Sequence, residues 1–337
     1  MNDITETTDN EPLDENNTQD SVKPSKLKQT FINRFGHIRA GWRMMIYFLI
    51  VGVLTAPLGF FHKYLNELLP KSEEFGSPLM LIQSLFIITS FLLAVYVVLK
   101  WIDKRPFGTL GLNFTKGWLK ELSAGIGIGF GLLTLLFLVF WITGLVEVTA
   151  GAMNSTVAIS MVGFLLLFIL AGFLEELMLR GYAFQAFIEG SNKWIAAIIL
   201  SLVFSIMHMF NPNFSAGGAL NIFLAGILLS IVYVKTRSLW MPTGLHFAWN
   251  WTQGPLWGMN VSGMDIKDSF LVSTPQGPEL LSGGEFGAEG SLISAVVIAA
   301  LCWYLWRAEW IKPSESNASI WHKYPSGYGI EPVDQEM

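Results

Sequence analysis

Residues 173–180 read Phe-Leu-Glu-Glu-Leu-Met-Leu-Arg, inside an apolar run that extends from about 157 to 182. Glu175, Glu176 and Arg180 are charges that hydrocarbon should exclude. A charged side chain near the bilayer centre costs about 2.5 to 3.5 kcal/mol on insertion scales, so such residues usually face a bundle interior and serve a site. This run therefore reads as a membrane helix whose inward face carries the function.

The composition around it agrees. Hydrophobic residues make up 52% of the 337 residues, charged residues only 14%, and the mean hydropathy is +0.47. Such a balance exceeds that of an ordinary soluble domain and indicates a multi-span membrane protein. The net charge of -5 is carried largely by tails and outer loops, and no basic footprint for nucleic acid is present. The single cysteine, Cys302, excludes an intrachain disulfide and reads as a small core residue.

Runs long enough to cross about 30 Å of hydrocarbon fall at about 43–61, 79–99, 122–146, 157–182, 194–210, 219–234, 240–257 and 291–306. The expected fold class is an all-α membrane protein of about eight transmembrane helices. Basic residues are retained on the cytoplasmic side. With the N-terminus inside, 18 Lys and Arg fall in cytoplasmic segments against three outside, Lys63, Lys71 and Lys267. Both termini are therefore expected to be cytoplasmic. Residues 1–35 are too polar to fold alone and read as a disordered cytoplasmic tail, 36–311 as one polytopic domain, and 312–337 as a second polar tail. The first apolar residues come too late for a secretory signal.

Gly125-Ile-Gly127-Ile-Gly129-Phe-Gly131 superficially suggests a dinucleotide loop. Inside a transmembrane run, small residues four apart instead permit close helix packing. Pro242 suits a first helical turn, and Pro212 and Pro255 mark ends or kinks. The Gly- and Ser-rich segment from about 258 to 290 reads as a long outer loop.

Of the five histidines, His37, His62 and His322 lie in tails or loops, whereas His208 and His246 lie within apolar runs. Residues i and i+4 share a helix face. His246 with Asn250, Phe204 with His208, and Glu176 with Arg180 all have that spacing. Glu175 is rotated by about 100° from Glu176, so the two carboxylates can meet different partners. If the fourth helix continues to about residue 188, a rise of about 1.5 Å per residue brings Glu175, His208 and Asn250 to one level. Singly, each residue has a packing or hydrogen-bonding reading; together at one depth they favour a site.

Glu175-Glu176-x-x-x-Arg180, Phe204-x-x-x-His208 and His246-x-x-x-Asn250, in that order on three separate helices, resemble the CPBP group of intramembrane proteases. That group includes the CAAX prenyl endopeptidases and the bacterial Abi, or bacteriocin-processing and immunity, proteins. The resemblance covers about residues 120–260 and implies that the domain is a protease. It implies Glu175, His208, His246 and Asn250 as catalytic, with Glu176, Arg180 and Phe204 supporting them.

Peptide hydrolysis needs an activated water, a group to polarise the carbonyl, and a wet cavity. In the favoured mechanism, Glu175 and His208 orient and deprotonate water while His246 and Asn250 donate to the oxyanion, and no cofactor is required. The competing mechanism places Zn2+ on His208, His246 and Glu175, although Asn250 is a poor zinc ligand and no His-Glu-x-x-His pair is present. The expected partners are the lipid bilayer and a membrane-associated peptide or protein substrate, and the expected location is a bacterial plasma membrane. A non-catalytic immunity or scaffold protein, and a proton- or cation-coupled transporter using the same charges, are the alternatives from other classes.

Overall fold

The computed structural model describes residues 30–33, 37–59, 64 and 78–323. All eight apolar runs carry helix. α1 (Ala40–Thr55) and α2 (Pro78–Val97) come first, and α2 runs on through a π-helical turn at Val98–Asp103. α3 (Trp118–Ile142) leads into a strand, β1 (Val146–Ala150). α4 (Ser155–Glu176) passes through a π-helical stretch, Leu177–Gly181, into α5 (Tyr182–Gly190). α6 (Lys193–Met207) tightens into a 3-10 turn at His208–Phe210, and α7 (Ala216–Thr236) follows. α8 (Trp240–Trp251) continues through a π stretch, Thr252–Leu256. β2 (Leu271–Pro275), α9 (Leu292–Arg307) and α10 (Glu315–Lys323) complete the described chain.

Six of these helical stretches are long and apolar enough to cross a membrane: Ala40–Gly59, Leu79–Asp103, Trp118–Ile142, Ser155–Gly190, Lys193–Phe210 and Ala216–Thr236. The protein is a helical membrane protein. The other two expected spans are shorter helices; α9 has 16 residues, and α8 has 12 and carries Thr243, His246 and Asn250. α8 nevertheless buries most of its length against α3 and α4.

The glycines of α3 explain how α8 is held. A Cβ on Gly125 would strike the Met241 carbonyl, one on Gly129 the Leu245 carbonyl, and one on Gly244 of α8 the Leu122 carbonyl. Gly127 and Gly131, on the other face of α3, have open space around them. The glycine series thus brings two backbones together.

One end of the bundle is tied by buried charge. Arg43 of α1 bonds Asp103 at 2.9 Å and also Glu189 of α5, and Arg105 bonds Glu189 and Gln185 at 2.8 Å each. Gln185 in turn donates to Tyr233 of α7 at 2.7 Å. At the same end, the Lys235 ammonium donates to the carbonyls of Leu305, Trp306 and Ala308 at the C-terminal end of α9. This is the basic end inferred from the sequence.

One expectation needs correction and two are refined. Helix does not reach residue 146: α3 stops at Ile142, and β1, with alternating Val146, Val148 and Ala150, pairs antiparallel with β2. Among the described residues, the fold is therefore helical apart from one two-stranded sheet. The segment from 258 to 290 is folded against the bundle, with Val261 and Ile266 packed on Phe164 and Phe168 of α4. The polar C-terminal segment includes α10, held by Asn317 to Asn113 and by Ser316 to Thr115. Most of the N-terminal tail, with His62, Lys63, Lys71 and residues 324–337, lies outside the described residues.

Candidate active site

The helical path is unbroken from Ser155 to Gly190, so the condition for a common depth of the polar residues is met. Its π stretch begins immediately after Glu176. A π turn takes in an extra residue and shifts the helix phase, and such bulges cluster at functional sites. Glu176 and Arg180 are both fully buried and bonded at 3.0 Å, while Arg180 also donates to the Gly226 carbonyl at 2.9 Å. Arg180 therefore lies inside the bundle rather than at a cytoplasmic boundary. Removing it from the count of basic residues leaves 17 against three, still a strong bias.

Glu176 has a second partner from α8. His246 Nδ1 lies 2.9 Å from the same Glu176 oxygen, Oε1, that accepts from Arg180. A carboxylate only accepts, so Nδ1 carries the proton. The other ring nitrogen, Nε2, lies 3.6 Å from Glu175 Oε2, beyond a direct hydrogen bond. Glu175 is the exposed member of the pair, with 27% of its side chain accessible against none for Glu176.

His208 sits where α6 tightens into its last turn. Its Nδ1 lies 2.8 Å from the Phe204 carbonyl, which likewise assigns the proton to Nδ1 and leaves Nε2 with a lone pair. The Phe204 ring is the hub of the arrangement. Its centroid is 4.7 Å from that of His208, 5.8 Å from that of His246 and 5.0 Å from the Arg180 guanidinium carbon.

Glu175, Phe204, His208, His246 and Asn250 line one cavity of about 300 Å³. Arg180 and Glu176 lie behind its wall. The sequence did not reveal Glu289, which also lines the cavity. Glu289 accepts from the Trp249 indole at 3.1 Å and from the Ser262 amide and hydroxyl at 2.6 and 2.8 Å. Burial pushes its carboxyl up from the usual glutamate range, and the Ser262 donors pull it back. The only sequence signal was a carboxylate between glycines, Gly287-Ala288-Glu289-Gly290. Among the described residues, no three His, Cys, Asp or Glu side chains are grouped to hold a metal ion.

Residues 157–252 match the family described as type II CAAX prenyl endopeptidase, Rce1-like. This segment is similar to that family. No curated protein and no solved structure gives a match. The Rce1-like segment contains all three helix motifs and ends just after Asn250, leaving Ser262 and Glu289 beyond it. The match is to a CAAX-type endopeptidase family and is confined to this segment, while the six candidate spans make the chain an integral membrane protein.

Proposed function

We propose that this protein hydrolyses a peptide bond in a membrane-associated substrate with water activated by Glu175 and His208. The observation that carries this reading is the single cavity shared by Glu175, His208, His246 and Asn250. The Glu175 carboxylate takes a proton from water as its oxygen attacks the carbonyl carbon, and His208 Nε2 accepts a hydrogen bond that orients that water. The tetrahedral oxyanion receives hydrogen bonds from Asn250 and from His246 Nε2. When the C–N bond breaks, the proton held by Glu175 passes to the leaving amine.

The geometry adds a condition on His246. With Nδ1 already donating to Glu176, Nε2 can donate only when the ring carries both protons, and Glu175 and Glu176, one beside each nitrogen, supply the counter-charge for that form. The reading needs no metal. Turnover by purified protein in nanodiscs should persist through chelation; stoichiometric zinc with chelator-sensitive turnover would overturn the metal-free version.

The decisive experiment compares cleaved membrane peptides in cells that express the wild type, Glu175→Gln or His208→Ala. Both variants should lose every wild-type product while remaining folded. If products persist in both, the fold serves as a scaffold or immunity protein instead.

A further inference from the structure

We infer that the substrate bond is presented from the extracytoplasmic side of the membrane, as a peptide segment outside the cell rather than a modified C-terminus in the cytoplasm. This rests on the protease reading above and adds the side from which the site is served.

The first observation is where the cavity gets its walls. Met80 and Ser84 come from the first turns of α2, Asn211 from the turn after α6, and Ser262, Met264 and Glu289 from the folded segment between α8 and α9. All six lie at the end of the bundle opposite the one tied by Arg43 and Lys235. No wall residue comes from the helix ends that carry Arg43, Asp103, Arg105, Glu189 or Lys235.

The second observation is what closes the other side. Below Glu175 along the helix come Glu176 and Arg180, with no exposed surface, then Tyr182 and Gln185 at about 1%. Next is the layer in which Arg43 and Arg105 share Glu189. A substrate approaching from that end would have to open two stacked layers of paired, desolvated charge, and breaking such pairs is strongly unfavourable. From the opposite end, it meets an existing cavity floored by the accessible Glu175.

Charge then says which end is which. The tied end carries Lys100, Lys104, Lys116, Lys120, Lys193 and Arg307 in its connecting segments and helix ends, whereas Lys267 is the basic residue of the 257–291 segment. Basic flanks are held in the cytoplasm. The cavity therefore faces outward, toward secreted peptides or the outer juxtamembrane segments of membrane proteins.

The test separates access from catalysis. In a Cys302→Ser background, Ala171→Cys puts a thiol on the cavity wall, Lys267→Cys one on the outer segment and Lys312→Cys one at the basic end. A membrane-impermeant maleimide added to intact cells should label the first two and label the third only after permeabilisation. Labelling of Lys312→Cys in intact cells overturns the inference, as does labelling of Ala171→Cys only from the cytoplasmic side or from neither side.

Two reporters then carry one cleavable segment on either side of the same membrane anchor. Glu175-dependent cleavage of the outer reporter is expected, and cleavage of the inner one overturns the inference. If the labelling is as expected and neither reporter nor any cellular peptide is cleaved, the protease reading fails and the inference about its substrate falls with it.

Discussion

At the scale of single residues, the two adjacent glutamates are set apart by what surrounds them. Glu175 is accessible from the cavity and Glu176 is sealed between Arg180 and His246. Glu175→Gln should therefore abolish cleavage and leave the unfolding temperature close to that of the wild type. Glu176→Gln should lower both, because it leaves Arg180 buried without its counter-charge, a loss of about 3 to 5 kcal/mol when such a pair is broken. Equal effects of the two changes on both properties would refute this division. Glu289→Ala leaves the Ser262 amide and hydroxyl without their shared acceptor, at about 1 to 3 kcal/mol for each buried group, while the Trp249 indole keeps Gln253, and should speed amide exchange over residues 258–264. Unchanged exchange there would show that Glu289 does not hold the segment. The helix motifs were legible because the spacing of four is local. Glu289 was not, because a glycine-rich segment has no periodicity to show which of its residues turns inward.

At the scale of elements, α8 owes its place to α3. The glycine spacing could be read as a packing stripe, and the structure adds which glycines matter: Gly125 and Gly129 touch backbone carbonyls of α8, and Gly127 and Gly131 touch nothing. Gly129→Leu should push α8 away from α3, displace His246 relative to Glu176, and cost both activity and thermal stability. Gly131→Ala should be silent in activity and slightly stabilising, by about 1 kcal/mol, as expected for glycine-to-alanine in a helix interior. Loss of activity in the second variant would show that this face also has a partner. The existence of helix in each apolar run was likewise legible, since hydropathy alone requires it. The pairing of β1 with β2 was not, because the two strands are far apart in sequence and only the folded chain brings them into register.

At the scale of the whole molecule, composition and the bias of Lys and Arg gave a membrane protein with a basic end, and the structure collects that end into one layer of shared carboxylates. Arg43→Ala should lower the unfolding temperature more than Lys100→Ala, because Arg43 is buried and paired with Asp103 and Glu189, while Lys100 is exposed beside Tyr96. Equal shifts would mean that the layer contributes no more than a surface contact. The same layer bears on how a cell can tolerate a hydrolase of this kind. Water must reach the middle of the bilayer for the reaction, yet a continuous file of it would conduct protons and dissipate the gradient across the membrane. With paired side chains filling the bundle beneath Glu175, the cavity is a blind well. Liposomes containing the wild-type protein should hold an imposed pH difference as long as empty ones, and those containing Arg43→Ala should lose it faster. A wild-type protein that drains the gradient would mean that the well has a second outlet and would favour the transporter alternative.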